Sequence, residues 1–203
     1  ALQGFKSHTA TIPLTSIGEQ YTPNGIQLGT NTNSYINTDI RLSLLSNYAV
    51  NDAEAGVYLY AQPNWGTGNN DLFGTQTGLT DPRLRMRHRG DDNPDDWAAS
   101  INGTATINAL TETSALPGKL WSIKATASEA AIYENGVAQT PTVGAQPTVP
   151  TTYSVYVGAC NDRDSVLQDS RQGTFTSFYV GGAIDTLTFY NRMMTFHAAL
   201  GIV

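Results

Sequence analysis

Arg83-Leu84-Arg85-Met86-Arg87-His88-Arg89 alternates a guanidinium with an apolar or aromatic side chain. On an extended strand, a period of two sends Arg83, Arg85, Arg87 and Arg89 to one face and Leu84, Met86 and His88 to the other. Like charges stacked along one face repel unless something opposes them. Two solutions are open. The internal one uses acidic residues of neighbouring strands, or the acidic turn Asp91-Asp92-Asn93-Pro94-Asp95-Asp96 just downstream. The external one uses a partner, either an acidic glycan or the acidic surface of another subunit, gripped by bidentate contacts.

A second constellation is aromatic. Trp65 sits in a run rich in Gly and Asn from Pro63 to Asn70, and Trp97 follows the acidic turn. Both rings could stack on sugars while Asn69, Asn70 and Asp71 bind hydroxyls. Trp121 opens an apolar strand and reads as core. This is a lectin-like reading, and it competes with simple packing of the loop.

Hydrolytic chemistry finds less support. Glycoside hydrolysis on a β-sandwich typically uses two carboxylates about 5 to 9.5 Å apart. Jelly-roll glucanases supply them as Glu-x-Asp-x-Glu along one strand, whereas Ala183-Ile184-Asp185-Thr186-Leu187 offers Asp185 alone. The Arg-x-Glu-x-Arg and Gln-x-His patterns of alginate-lyase-like jelly rolls are missing, as is a Gly-x-Ser-x-Gly elbow. The chain is therefore expected to be non-enzymatic. His8, His88 and His197 show no zinc-ligand spacing. Three oxygen-rich clusters, residues 69 to 71, 91 to 96 and 161 to 164, could converge on Ca²⁺, although no EF-hand spacing exists. Solvated turns using Asp and Asn are the plainer reading.

The elements that must position these groups are strands. Charged residues make up 14% of the 203 residues, against about 25% in ordinary soluble domains. Thr, Asn, Ser, Gly and Gln fill exposed strand faces and turns instead. The net charge of −6 speaks against general nucleic-acid or anionic-membrane binding. Cys160 is the single cysteine, so no intrachain disulfide forms, and a buried inert thiol is expected. No apolar run suggests membrane insertion. One domain over residues 1–203 is expected, since turn signals recur and no linker appears.

Ala130-Ala131-Ile132-Tyr133-Glu134-Asn135-Gly136-Val137-Ala138 reads as a hairpin closed by Asn-Gly, with positive φ at both turn residues. The stretch Phe178 to Thr195 reads as two strands pinched at Gly181-Gly182, the second covering Ala183 to Tyr190. A short helix from Thr195 to Leu200, capped by Thr195, ends the pattern. Ile132, Val155, Val157, Ile184, Leu187 and Phe189 are expected in the core. Pro141 to Pro150 is expected to hold no strand.

These segments, with Tyr156-Val157-Gly158-Ala159 between them, resemble the laminin-G-like branch of the concanavalin A-like jelly rolls. Asn51-Asp52-Ala53 before Gly56-Val57-Tyr58, and Asn33-Ser34-Tyr35-Ile36-Asn37-Thr38, resemble jelly-roll domains of bacteriophage structural proteins. The resemblance implies an all-β, two-sheet antiparallel jelly-roll sandwich with a short C-terminal helix. It further implies a virion structural or adhesive module: a capsid decoration, head-fibre or tail-associated protein displayed on the virion surface or extracellularly. Its partners would be other virion proteins, a second copy of itself, or surface glycans. A carbohydrate-binding module for a host or environmental glycan is the alternative.

Overall fold

The computed structural model describes residues 20–29, 34–61, 69–78, 83–89, 96–104, 106–111, 118–139, 142–144, 152–166 and 173–202. The strands are β1 (Gln20–Thr22), β2 (Gly25–Leu28), β3 (Ile36–Arg41), β4 (Ala53–Ala61), β5 (Asn69–Gln76), β6 (Arg83–Arg89), β7 (Asp96–Gly103) and β8 (Ile107–Thr111). They continue as β9 (Lys119–Ala125), β10 (Glu129–Glu134), β11 (Val137–Ala138), β12 (Val143–Gly144), β13 (Ser154–Val157), β14 (Asn161–Asp162), β15 (Ser165–Val166) and β16 (Gly173–Gly181). One helix, α1 (Thr186–Ala199), follows.

Two sheets result, as expected from the sequence. Sheet A runs β1-β2-β16-β4-β9-β10-β11, with β12 also paired to β10. Sheet B runs β15-β14-β5-β6-β7-β8, and β13 bridges β5 to β3. Pairing is antiparallel except for the short parallel match of β14 with β5. Alternation along each strand sends one set of side chains between the sheets. Val57 and Leu59 of β4, Trp121 and Ile123 of β9, and Ile132 of β10 meet Phe73, Leu84, Met86, Trp97 and Val157 there. Trp97 and Trp121 stack with ring centroids 4.0 Å apart, which joins the sheets at the centre. Ile132, Val155 and Val157 are buried, as the sequence suggested.

The hairpin forms as expected. Asn135 and Gly136 take φ of 50° and 82°, and Tyr133 pairs with Ala138 across the turn. Its tip also touches the helix. A Cβ on Gly136 would lie 2.6 Å from Leu187 Cα, so glycine is needed both for the turn and for this approach.

The C-terminal region differs from expectation. Residues 183 to 190 are not a strand: α1 begins at Thr186, and Asp185 rather than Thr195 caps it, accepting from the Thr188 N–H at 3.1 Å. Ile184 and Leu187 are consequently exposed, and Phe189 packs outside sheet A rather than between the sheets. The physical reason is a helical stripe. Thr186, Phe189, Tyr190, Met193, Met194 and His197 follow i, i+3, i+4, i+7, i+8, i+11, and they are the buried or half-buried positions of α1. That stripe covers Tyr58 and Leu120 on the outer face of sheet A. The buried Glu54 carboxylate ties the entry to α1 onto β4. It accepts from the Tyr179 hydroxyl at 2.7 Å, from the Ile184 N–H and from the Thr186 hydroxyl. A smaller departure is β12, a two-residue pairing with β10 inside the Pro141 to Pro150 segment.

Candidate ligand site on the arginine face

β6 is the strand the sequence described. Leu84, Met86 and His88 are buried toward Trp97 and the core, and Arg83, Arg85 and Arg87 share the opposite, outer face of sheet B. Register fixes their neighbours. Arg85 lies opposite Gly74 of β5 and Ser100 of β7, and Arg83 lies opposite Gln76. The three arginines, with Ala98, Ser100 and Thr106, line a shallow depression.

The arginines are not equivalent. Arg85 is buried and pairs with Asp71 in a fork, Nε to Oδ1 at 2.6 Å and Nη2 to Oδ2 at 2.8 Å. The bidentate geometry neutralises one of the stacked charges from inside the domain. Gly74 makes room for it, since a Cβ there would come within 3.2 Å of Arg85 Cγ and 3.0 Å of Cys160 Sγ. Cys160 is buried, as expected, and burial pushes its thiol pKa well up, with Asp71 adding to the effect. It is a neutral packing group.

Arg83 is half-buried and gives its hydrogen bonds to uncharged oxygens. Nε donates to Ser100 Oγ at 3.0 Å, and Nη2 donates to Thr106 Oγ1 at 2.7 Å and the Thr104 carbonyl at 3.2 Å. Burial, then repulsion from Arg85, lowers its pKa, although a guanidinium stays charged. Its cross-strand neighbour Gln76 is fully buried, and neither its Oε1 nor its Nε2 has a hydrogen-bond partner among the described residues. The outer face of sheet B thus holds a cation whose hydrogen bonds named above go to neutral oxygens, with the Asp71 carboxylate adding only a minor attraction, and a further negative oxygen would be stabilised there.

Other candidates fall elsewhere. Trp97 is 1% exposed and stacked on Trp121, so its ring is core and not a platform for sugar. Asp71 spends both oxygens on Arg85, and Asn70 is likewise buried, which corrects their reading as hydroxyl ligands. Asn69 and Arg89 face each other in register at one end of β5 and β6. Trp65 and the acidic turn at 91 to 95 lie outside the described residues. Asn161 to Asp164 forms the β14–β15 turn, with φ of 54° at Arg163 and 63° at Asp164, and Asn161 Oδ1 accepts from the Asp164 N–H. Among the described residues no group of three or more His, Cys, Asp or Glu side chains could hold a metal ion. Sequence reasoning missed Ser100, Thr104 and Thr106; β8, which carries no strong alternation, was not expected.

No protein-family model and no curated protein matches the chain. Solved structures do. A Trypanosoma rangeli sialidase in complex with 2,3-difluorosialic acid, a covalent intermediate, aligns with TM-score 0.57 at 14% identity, over 87% of this chain and 29% of that one. The botulinum neurotoxin serotype D binding domain aligns with TM-score 0.55 at 7% identity, over 90% of this chain and 46% of that one. A second structure, of the botulinum neurotoxin D receptor binding domain, aligns with TM-score 0.56 at 9% identity, over 88% of this chain and 47% of that one. The chain thus spans less than half the length of each, and at these identities the likeness is one of fold, a two-sheet β-sandwich.

This corrects one expectation. The chain was expected to be non-enzymatic because a carboxylate pair is missing, yet the sandwich recurs within sialidase chains. Sialidases use a tyrosine nucleophile, so a search for paired carboxylates does not exclude their chemistry. Fold and missing motif together do not separate this chain from enzymes.

Proposed function

We propose that the chain is a carbohydrate-binding module that recognises acidic glycans through the arginine face of β6. The observation that carries this reading is Arg83, a half-buried guanidinium bonded to neutral oxygens, beside Arg85 and Arg87 and the hydroxyls of Ser100 and Thr106. A carboxylate or sulfate on a sugar supplies the missing negative charge, and ring hydroxyls find the serine and threonine. The inversion of sign in a chain of net charge −6 gives the face its selectivity. Two kinds of structural neighbour fit this setting, a sialidase holding a sialic acid derivative and a toxin receptor binding domain. Trp65, four residues before Asn69 in the sequence, is proposed as an additional contact from its residue type alone. An extracellular or virion surface suits the Thr-, Asn- and Ser-rich composition, but no neighbour named above belongs to a bacteriophage particle.

The test is a glycan array comparing sialylated, sulfated and uronate-bearing glycans with neutral ones. Retention of the acidic set that weakens with salt, and falls about tenfold in Arg83→Ala or Arg87→Ala with unchanged circular dichroism, supports the reading. Equal binding of neutral and acidic glycans, or binding indifferent to both substitutions, sinks it.

A further inference from the structure

Helix α1 leaves a cavity of about 480 Å³ between itself and β16, on the outer face of sheet A and away from the arginines. The volume is that of a small-molecule site. Among the described residues its walls are mostly apolar, with Phe189, Met193, Phe196, Leu200 and Ile202 prominent. Polar groups interrupt them, among them Ser177, Tyr179, the helix-capping Asp185, Arg192 and His197. His197 is 2% exposed, and its buried Nδ1 has no hydrogen-bond partner among the described residues. Arg192 also lines the cavity from an exposed position on α1.

A buried ring nitrogen without a partner costs free energy unless a ligand supplies one. Burial keeps the His197 imidazole neutral by lowering its pKa, so it offers one N–H and one lone pair. Arg192 can offer its guanidinium to an anion that enters the cavity. A carboxylate, with two acceptor oxygens, satisfies a guanidinium and an imidazole N–H together, and the aromatic and thioether walls suit an alkyl chain.

We propose that this cavity binds an aliphatic monocarboxylate, a fatty-acid-like molecule, with its head group at Arg192 and His197 and its chain among the phenylalanines. The experiment is calorimetric titration of the purified chain with dodecanoate, below micelle formation, with dodecanol as the uncharged comparison. Saturable binding of dodecanoate is expected, weakened about tenfold by Arg192→Ala while dodecanol binding stays unchanged. Ser177→Phe fills the cavity from β16 and should abolish both, and glycan retention should survive either substitution. Should Ser177→Phe not fold, Arg192→Ala decides alone. Absence of dodecanoate binding, equal dodecanoate affinity in Arg192→Ala, or a concentration-dependent dimer that buries α1 would overturn the proposal.

Discussion

Asp71→Asn probes the arginine face at its deepest point. The Arg85 side chain is 6% exposed and that of Asp71 0%, so water screens neither charge. The substitution keeps the shape and removes the charge, leaving a buried guanidinium facing a neutral amide. Breaking a buried pair from one side costs about 3 to 5 kcal/mol. For a chain of 203 residues each kcal/mol moves the melting temperature by about 2 °C, which gives a fall of about 6 to 10 °C. The paired replacement Asp71→Leu with Arg85→Met removes both charges, and its stability should return to within about 1 kcal/mol of the parent. Urea denaturation followed by circular dichroism measures all three proteins. A loss under about 1 kcal/mol for Asp71→Asn, or a double variant no better than the single one, would refute the reasoning. The same geometry warns against Arg85→Glu as a surface probe. A second carboxylate against Asp71 would unfold the domain, so binding tests belong at Arg83 and Arg87.

Three further outcomes are expected. Gln76→Leu removes an amide that is buried without a hydrogen bond among the described residues and should raise stability by about 1 to 3 kcal/mol in thermal melts. Gly136→Ala forces a Cβ against the backbone of Leu187 at a φ of 82°, and should destabilise by about 1 to 3 kcal/mol on urea titration. The lowered pKa of His197 means that the unfolded chain binds the proton more readily. Stability present at neutral pH should therefore decline as pH falls below the unfolded histidine value of about 6.5 toward the lower folded value, and His197→Phe should flatten that slope.

The sandwich was legible where one local signal agreed with its surroundings. Asn135-Gly136 demanded a primed turn, and β6 alternated so strictly that its two faces could be assigned residue by residue. The opposition at Arg85 was not legible, because Asp71 comes from another strand across a register shift in β5. Trp97 misled for a similar reason. Its partner Trp121 is 24 residues away in sequence, and nothing local announces their stacking. The helix was hidden by its composition. Thr186-Leu187-Thr188-Phe189-Tyr190 is built of strand formers, and Ile184, Leu187 and Phe189 mimic a strand face. The stripe from Thr186 to His197 was present, but the longer period shows only when the whole segment is weighed.

The position of β16 in sheet A has a consequence for how the chain is made. β16 lies between β2 and β4, pairing Phe175 with Ile26 on one side and Val180 with Ala55 on the other. A ribosome therefore delivers this interior strand after every other described strand of the sheet. Until then β2 and β4 present open edges to whatever is nearby, including each other and neighbouring nascent chains. Closing the sheet must wait for contacts separated by more than a hundred residues, which makes folding slow. Refolding from urea should show one slow phase tied to β16. A chain stopped at residue 172 should aggregate instead of forming half a sandwich, and a soluble, protease-resistant product of that length would count against this order of events.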